Sequence, residues 1–451
     1  MGKYELRNTI IDLLLRIDED SGYSHLLIDH EMKAKNIDPK DEGLLTEIVY
    51  GTIQRKLTLD YYLQSFLRPK QKIEPWVRML LRMSIYQMVF LDRVPDHAII
   101  HEAVEIAKQR GHKGIASFVN GVLRNVQRKD VPDTALIEDA TKRLSIETSH
   151  PEWLVDRWVR LYGFEVTSDM CMANLAKKPL SVRVQPLKIS RENAMELLQE
   201  EGFKTSASTF SDQGIIIDQG NILKSKLFKE GYVTIQDQSS MLVAEMLQIQ
   251  GGLKVLDACS APGGKATHIA EKMQNQGEIR AHDLHKKKIK LIDEKAATLG
   301  LTNIVASQAD ARNLQKIYQE ETFDRILVDA PCSGLGVIRG KPDIKYNKTE
   351  KDIQHLAAIQ LDILETVAPL LKKDGLLLYS TCTVDIEENE AVVKHFLKKH
   401  SDFQVDHTFF DELPSNIQES PGLTKNGIQL FPQTFQTDGF FLTRLIKKSE
   451  K

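Results

Sequence analysis

From about residue 232 to the C-terminus, short apolar runs alternate with helical stretches, and this alternation constrains the fold more than any other feature. The runs are LKVLDAC, EIRAHD, NIVASQAD, DRILVDAP and GLLLYSTCT. Short apolar strands separated by helices are typical of a parallel sheet covered on both faces. We therefore predict a Rossmann-like α/β domain over residues 232–451, with DGFFLTRLIK as its closing strand.

The N-terminal part of the chain has a helical periodicity instead. Apolar residues of the first run recur at helical spacing: Leu6, Ile10, Leu13, Leu14 and Ile17. Gly22 is expected to end that helix. Further helical runs are GLLTEIVYGTIQRKLTLDYYLQSFL, EPWVRMLLRMSIYQMVFL with Pro75 in its first turn, HAIIHEAVEIAKQRG and IASFVNGVLRNVQRK. The pattern predicts an all-α domain of six or seven helices over residues 1–130.

Between these two regions the sequence predicts a connector and a third, smaller domain. Residues 131–150 are polar and contain proline, so we interpret them as a linker. Residues 151–231 contain the helical run PEWLVDRWVRLYG, the strand LSVRVQ, a helix opened by Ser190 and closed by Gly202, and the strand GIIID. This order predicts a small α/β domain, RRM-like in character, which we assign to RNA binding.

Charge and hydropathy restrict the environment of the chain. The formal net charge is −3, so any nucleic-acid partner must be met by local basic patches rather than by a global field. Charges interrupt the N-terminal sequence, and no apolar run approaches the roughly 20 residues that span a bilayer. We expect a cytoplasmic monomer without membrane contact.

The cysteines do not suggest a metal site. The four cysteines are Cys171, Cys259, Cys332 and Cys382. None forms a CxxC pair or accompanies a His-x-x-x-His array, so we expect no bound metal. Disulfides are disfavoured in a reducing cytosol. Three of these cysteines lie in the strand-end motifs described next, which indicates a chemical role.

A glycine-rich turn predicts a ligand site. The strand LKVLDAC leads into SAPGGKATHIA, where Gly263 and Gly264 allow a ligand to approach the backbone closely. The next strand ends in Asp283, about 20 residues after the turn, where a carboxylate can accept hydrogen bonds from both ribose hydroxyls of an adenosine. Asp310 ends a third strand and is placed to meet the adenine side. The glycines alone could simply form a turn, and a nicotinamide-binding oxidoreductase is a rival disfavoured by the absence of GxGxxG.

Two cysteines follow neighbouring apolar strands. Cys332 follows Asp329-Ala330-Pro331, and Cys382 follows Ser380-Thr381. A thiolate that adds to C6 of a cytosine makes C5 nucleophilic enough to accept a methyl group. Asp329 would act on the Watson–Crick edge of the base, and Lys265 would favour the thiolate by its charge. The competing interpretation is that both cysteines are buried structural residues.

Together, these motifs resemble those of a known family. DACSAPGGKATHI, AHD, QADAR, DAPCSGLGVIRGKPDIK and YSTCT are similar, in order and spacing, to the motifs of the RsmB/Sun (Fmu) family of rRNA cytosine-C5 methyltransferases. The helical segment, with SIYQMVFLDRVPDHAIIHEAVEIAK and FVNGVLR, resembles the NusB-like RNA-binding domain fused to those enzymes. The resemblance covers essentially the whole chain. It implies a C-terminal class I S-adenosylmethionine-dependent methyltransferase domain.

The resemblance also implies a role for each site residue. S-adenosylmethionine would be the methyl donor and S-adenosylhomocysteine the product. Cys382 would be the nucleophile, Cys332 would assist product release, and Asp329 would serve both cofactor and base. The remaining cofactor-binding residues would be Cys259, Ser260, Ala261, Pro262, Gly263, Gly264, Lys265, Asp283 for the ribose and Asp310 for the adenine.

The implied substrate is one cytosine of 16S rRNA. Basic residues of the helical domain would form an RNA-binding face, although a solvated helix surface has the same pattern: Arg55, Arg78, Arg82, Lys108, Arg110, Lys113, Arg124, Arg128 and Lys129. Two alternatives stay open at this point. One is a methyltransferase that acts on tRNA or large-subunit rRNA, and the other is a non-catalytic RNA-binding or transcription factor.

Overall fold

The computed structural model describes residues 5–20, 24–92 and 94–449, which form two compact units. The first, here called the helical unit, extends to Ala176 and includes Ile338–Asn347. The second, here called the sheet unit, comprises Lys177–Val337 and the chain from Lys348 onwards. Each unit has its own hydrophobic core.

The helical unit is all-α, as predicted. Its helices are α1 (Glu5–Asp20), α2 (Ser24–Ala34), α3 (Glu42–Gln54), α4 (Lys56–Gln64), α5 (Pro75–Phe90), α6 (Asp96–Arg110), α7 (Lys113–Lys129), α8 (Ala140–Thr148), α9 (Glu152–Tyr162) and α10 (Phe164–Leu175). All five periodic apolar residues of α1 are buried. The run predicted as one helix from Gly43 divides at Arg55 into α3 and α4. Gly22 lies outside the described residues.

The segment predicted as a linker, residues 131–150, contains helix α8. Asp139 caps this helix by accepting a hydrogen bond from the Lys142 backbone N–H at 2.7 Å. Leu144 is its buried apolar residue, so the segment has too few apolar residues for its periodicity to be visible. Helix α9, predicted to open the small α/β domain, lies in the helical unit instead. The domain boundaries drawn from sequence remain predictions.

A short segment from the C-terminal half of the chain completes the helical unit. A 3₁₀ turn at Pro342–Tyr346 packs beside α3. Lys345 is fully buried and donates to the Gln54 carbonyl at 2.9 Å, and burial lowers the pKa of its ammonium to about 7. The Tyr346 hydroxyl lies 2.9 Å from the Ser149 hydroxyl.

The sheet unit begins with a small antiparallel sheet of order β2-β3-β1-β4. Its elements are β1 (Leu180–Val184), α11 (Arg191–Glu200), β2 (Lys204–Ala207), β3 (Gly214–Gln219), α12 (Lys226–Lys229) and β4 (Val233–Ile235). Strands β1 and β3 and the helix between them confirm the predicted small α/β domain. Ser190 caps α11 through the Asn193 N–H, and Gly202 follows that helix with a φ of +88°.

The large sheet contains the predicted alternation of strands and helices. Its elements are α13 (Gln238–Glu245), β5 (Lys254–Asp257), α14 (Gly264–Lys272), β6 (Glu278–Asp283), α15 (Lys286–Leu299), β7 (Ile304–Gln308), β8 (Phe323–Asp329), α16 (Glu350–Val367), β9 (Leu371–Thr381), α17 (Glu390–Lys399), β10 (Phe403–Val405), α18 (Thr408–Glu412), α19 (Ser415–Gln418), β11 (Leu423–Thr424), β12 (Gly427–Leu430), α20 (Pro432–Phe435) and β13 (Phe440–Lys447). Strands β7-β6-β5-β8-β9 are parallel neighbours. The closing strand β13 pairs antiparallel with β9, which makes the sheet mixed.

The central strands β5, β8 and β9 are largely buried on both faces, which explains their continuous apolar runs. Leu327 belongs to the core on one face of the sheet and Val328 to the core on the other. A buried ion pair joins the small sheet to the large one: Arg183 of β1 donates to Glu271 of α14 at 2.7 Å and to the Gly264 carbonyl at 2.8 Å. The small sheet thereby supports the helix that follows the glycine turn.

Among the residues that the structure describes, no helix combines the length and the apolar character that a membrane crossing requires.

Candidate active site

A cleft with about 1030 Å³ of empty volume lies at the carboxyl ends of the parallel strands. Seven of the predicted site residues line it: Cys259, Ala261, Asp283, Asp310, Asp329, Cys332 and Cys382. Ligands of open α/β sheets bind at this edge because the strand-to-helix turns present their backbone and side-chain groups there. The other five predicted residues, Ser260, Pro262, Gly263, Gly264 and Lys265, lie in the turn between β5 and α14 or at the start of that helix.

The glycine turn brings the backbone close to the neighbouring helix. Gly263 has a φ of +90°, a conformation that residues with a Cβ adopt only with strain. A Cβ at Gly263 would also lie 3.1 Å from the Ile292 Cα of α15. Ser260 is buried and its backbone N–H donates to the His282 carbonyl at 2.7 Å, whereas Pro262 is exposed. These contacts hold the turn beside β6.

The two predicted carboxylates have different surroundings. Asp283 ends β6, and one of its oxygens accepts a hydrogen bond from the His285 backbone N–H at 3.0 Å. Both oxygens of Asp310 accept hydrogen bonds from the Arg312 side chain, at 3.0 and 2.7 Å. Hydrogen bonding from Arg312 lowers the pKa of Asp310. Both carboxylates line the cleft, as the strand-end positions predict.

Asp257, the last residue of β5, is a site residue that sequence reasoning missed. Its carboxylate is fully buried, and neither oxygen has a hydrogen-bond partner among the described residues. Burial raises the pKa of this carboxyl to about 7. The nearby Ser260 hydroxyl is also buried without a described partner. Unpaired buried polar groups are costly, so this pair is suited to a polar ligand in the turn. In the sequence Asp257 is marked only by its place at the end of the apolar run LKVLDAC, as any strand-end aspartate would be.

The two cysteines approach each other at the mouth of the cleft. Strands β8 and β9 are parallel neighbours, with Asp329 opposite Ser380. Cys332 and Cys382 follow these strand ends, and their sulfurs lie 3.3 Å apart. Both side chains are partly exposed. The structure thus brings together two residues that are 50 positions apart in the chain.

The charged groups around the two sulfurs differ. Lys265 donates to Asp329 at 2.6 Å, and Asp329 also accepts from the Ser380 hydroxyl at 2.9 Å. Burial lowers the pKa of Lys265, but Asp329 and Cys382 together outweigh that effect and leave the pKa raised. The hydrogen bond with Cys382, burial and nearby carboxylates raise the pKa of the Cys332 thiol well above its usual value.

The other two cysteines lie in surroundings that keep them protonated. Burial and several surrounding aspartates raise the pKa of Cys259 well above its usual value. Cys171 lies in the helical unit, where burial raises its pKa to about 12. Thiols of this kind are poor nucleophiles. Within the described residues, no group of three or more His, Cys, Asp or Glu side chains could hold a metal ion.

The nine cations predicted to face RNA divide into two groups. Arg55, Arg78, Arg82 and Arg110 make internal contacts: Arg55 with the Glu147 carbonyl, Arg78 and Arg82 with Asp60, and Arg110 with Asp12. The exposed members are Lys108, Lys113, Arg124, Arg128 and Lys129. The internal contacts leave the first group poorly placed to contact phosphates, so the predicted RNA-binding face rests chiefly on the exposed cations of α6 and α7.

Comparison with known proteins agrees with this geometry. A model of the family described as 16S rRNA methyltransferase RsmB/F matches residues 244–446. Models of the NusB family and of the Methyltr_RsmF/B-like, ferredoxin-like domain match residues 5–128 and 150–223. A Bacillus subtilis (strain 168) protein named "Probable ribosomal RNA small subunit methyltransferase B" is 47% identical over 448 residues, which cover 99% of this chain and 100% of the relative. The chain belongs to the RsmB/F family.

Membership makes the chain an S-adenosylmethionine-dependent methyltransferase, which removes the oxidoreductase and non-catalytic alternatives. A Synechocystis protein (strain ATCC 27184 / PCC 6803 / Kazusa), "Probable ribosomal RNA small subunit methyltransferase B", is 34% identical over 96% of this chain and 98% of its own length. The crystal structure of PH0851 matches with a TM-score of 0.83 at 26% identity, covering 99% of both chains. NSun6 from Pyrococcus horikoshii with SFG matches with a TM-score of 0.60 at 25% identity, covering 66% of this chain and 99% of that one.

Proposed function

We propose that this chain methylates carbon 5 of one cytosine in 16S rRNA, through a covalent adduct between the Cys382 sulfur and C6 of the base. The observation that carries the proposal is the pair of cysteine sulfurs, 3.3 Å apart at the cofactor cleft, with Lys265 and Asp329 beside them. C5 of cytosine is a weak nucleophile, so methyl transfer needs a thiolate to activate the ring. Two cysteines with a purely structural role would not require the Lys265 ammonium beside them.

The residues of the cleft fit the methyl donor. Within the described residues the buried oxygens of Asp257 have no hydrogen-bond partner, and a Cβ at Gly263 would crowd Ile292. In this proposal, residues 259–265 bind the donor, Asp283 accepts from the ribose hydroxyls, and Asp310 lies at the adenine end. Bound S-adenosylmethionine would supply an electrophilic methyl group on a sulfonium centre.

Attack is assigned to Cys382. Its thiolate adds to C6, and the electron pair of the C5–C6 double bond is shifted to C5 and delocalised towards N3. C5 then becomes the nucleophile that takes the methyl group, and the demethylated donor would leave as the thioether S-adenosylhomocysteine. The Lys265 ammonium interacts electrostatically with Cys382, and a nearby cation favours a thiolate. Asp329, held by Lys265 and Ser380, faces the cleft and would contact the Watson–Crick edge of the cytosine.

Release is assigned to Cys332. The methylated ring regains its double bond when C5 loses its proton and the C6–S bond breaks, which returns the electron pair to Cys382. Cys332 acts in its thiolate form, which it reaches by losing its own proton to solvent, and its raised pKa makes that thiolate a strong acceptor for the C5 proton. A high-pKa thiol next to the nucleophile is therefore better suited to moving this proton than to the first attack.

The relatives named as small-subunit rRNA methyltransferases support 16S rRNA as the substrate, and the exposed cations of α6 and α7 would supply salt-dependent affinity. We place the reaction in the cytoplasm, where bacterial ribosomes are assembled. The test uses the full-length protein, tritium-labelled S-adenosylmethionine and unmodified transcripts of 16S rRNA, 23S rRNA and tRNA. We expect label on one cytosine of 16S rRNA, located by bisulfite mapping. Label confined to 23S rRNA or tRNA would instead support the alternative substrates.

A further inference from the structure

Two consecutive buried residues contact the turns that carry the cysteines. The proposed mechanism does not use either of them. Glu388 and Asn389 lie between strand β9 and helix α17, and they are 0% and 1% exposed. Asn389 stands at the N-cap position of α17, where asparagine usually accepts from the helix backbone, yet it makes no such hydrogen bond. Its side chain and that of Glu388 are directed to other contacts.

Glu388 braces the turn that carries Cys332. One oxygen of its carboxylate accepts from the Ser333 backbone N–H at 2.8 Å and from the Gln360 amide at 3.0 Å. The same Gln360 nitrogen donates to the Pro331 carbonyl at 2.9 Å. Backbone groups on both sides of Cys332 are therefore tied to one buried carboxylate and its amide neighbour.

Asn389 braces the turn that carries Cys382 in the same manner. Its side-chain oxygen accepts from the Thr381 hydroxyl at 2.5 Å, and its nitrogen donates to the Thr383 carbonyl at 3.1 Å. The nitrogen also donates to Gln429 at 2.7 Å, which anchors the amide to strand β12. Residues on both sides of Cys382 are thus held by one side chain.

The two turns are also connected directly, by the sulfur pair, by the Gly336 N–H that donates to the Cys382 carbonyl at 3.0 Å, and by a pair of hydroxyls. The Ser333 and Thr383 hydroxyls, which follow the two cysteines, lie 2.9 Å apart and are both buried. Buried polar networks with satisfied partners restrict the groups they contain to one arrangement. The two braces meet at this hydroxyl pair and help to hold the turns in which the sulfurs lie 3.3 Å apart.

We propose that Glu388 and Asn389 are positioning residues with separate duties: Asn389 sets Cys382 for attack, and Glu388 sets Cys332 for product release. This inference rests on the proposed function, because it takes the roles of the two cysteines from there. If the two residues had only a structural role, replacing either one would slow attack and release in proportion. If the two braces act separately, replacing Asn389 should slow attack alone and replacing Glu388 should slow release alone.

The surroundings of Glu388 support its link to release in particular. Its second oxygen is buried and has no hydrogen-bond partner among the described residues. Burial raises the pKa of this carboxyl to about 7, and its charge in turn contributes to the raised pKa of Cys332. Glu388 is not among the residues that line the cleft, so we assign it an action on Cys332 rather than on the base.

The test separates attack from release with two RNA substrates. An unmodified 16S rRNA transcript requires both steps. The same transcript containing 5-fluorocytidine reports attack and methyl transfer alone, since the C5 fluorine cannot leave as a cation and the adduct persists. Protein–RNA adducts are counted on denaturing gels with full-length protein, 16S transcript and S-adenosylmethionine.

For Glu388→Ala we expect near-normal adduct formation on the fluorinated transcript. On the unmodified transcript, turnover should fall about 10- to 100-fold, the scale of a small misplacement of a reacting group, and adducts should accumulate. Glu388→Gln keeps an acceptor for Ser333 and Gln360 and should restore most of the turnover. Glu387→Ala is the matched control, since it removes a partly exposed carboxylate one position away.

For Asn389→Ala we expect the reverse pattern. Adduct formation on the fluorinated transcript should slow by about 10- to 100-fold, and no adduct should accumulate on the unmodified transcript. Asn389→Asp keeps the acceptor for Thr381 but loses the donor to the Thr383 carbonyl, so it should give an intermediate rate.

Equal slowing of both steps in Glu388→Ala and Asn389→Ala would overturn the inference, as would a slow fluorinated reaction in Glu388→Ala. If Glu388→Ala does not fold, Gln360→Met removes the tie to Pro331 and keeps the hydrogen bond between Glu388 and the Ser333 backbone, and it must show the same accumulation for the inference to stand. Failure of the proposed function looks different: the wild-type protein would form no adduct, or Cys382→Ala would still form one, on the fluorinated transcript.

Discussion

The turns that carry Cys332 and Cys382 are alike in position and different in charge. Both follow adjacent parallel strands, both line the same cleft, and their sulfurs nearly touch. The neighbouring Cys382 thiol, burial and the carboxylates of Glu388 and Asp329 raise the pKa of Cys332, whereas Cys382 interacts electrostatically with the Lys265 ammonium. The position at a strand end therefore gives each cysteine access to the substrate. The neighbouring charges determine which of the two thiols is suited to attack.

The largest expected effect comes from removing the sulfur beside the cation. Cys382→Ala should lower methyl transfer by at least about 10³-fold, because no thiolate remains in the position that attacks C6. Cofactor affinity, measured by calorimetry, should stay close to that of the wild type, since Cys382 does not form the glycine turn. Substantial residual activity would show that Cys332 can attack and would remove the distinction between the two turns.

A smaller effect should follow from removing the cation while both sulfurs remain. Lys265→Met should slow adduct formation on a 5-fluorocytidine transcript by about 10²- to 10³-fold, the scale of losing one preorganised charged donor. Lys316→Met, which removes an exposed cation of the same unit, is the control. An unchanged rate in Lys265→Met would mean that charge does not distinguish the two cysteines.

A variant at the cofactor end of the cleft should leave the separate roles of Cys382 and Cys332 unchanged. Asp283→Ala should weaken S-adenosylmethionine binding by about 2–4 kcal/mol, the scale of charge-assisted hydrogen bonds to a buried ligand. With saturating cofactor, the ratio of attack to release should match that of the wild type. Calorimetry that shows unchanged affinity would refute the ribose assignment, and a changed ratio would couple this carboxylate to the cysteines.

Most residues of this site can be predicted from the sequence, because the ends of its apolar strands can be recognised there. Asp283, Asp310, Asp329 and the cysteines each follow an apolar run, and parallel strands end at one edge. Sequence does not show which charges meet across that edge. The ion pair between Lys265 and Asp329 joins residues 64 positions apart, at the start of α14 and the end of β8.

The braces and the buried carboxylate were not predictable for a different reason. Glu388 and Asn389 belong to the run VDIEENE, whose composition is that of a solvated surface. Asp257 likewise has the appearance of an ordinary strand end. Buried polar groups are recognised from their partners, or from the lack of them, and both require coordinates. For the fold, helix α8 was missed because its polar sequence shows little apolar periodicity.

The central claim is that the two cysteines divide the reaction, and the Cys332→Ala variant tests it most directly. This variant should attack the base and transfer the methyl group, and then stall because the C5 proton is not removed. Protein–RNA conjugates that survive denaturation should accumulate on unmodified 16S transcript, and they should require S-adenosylmethionine. The double variant with Cys382→Ala should form none. If Cys382→Ala trapped conjugates and Cys332→Ala did not, the two roles would be reversed. That result would contradict the assignment of attack to Cys382.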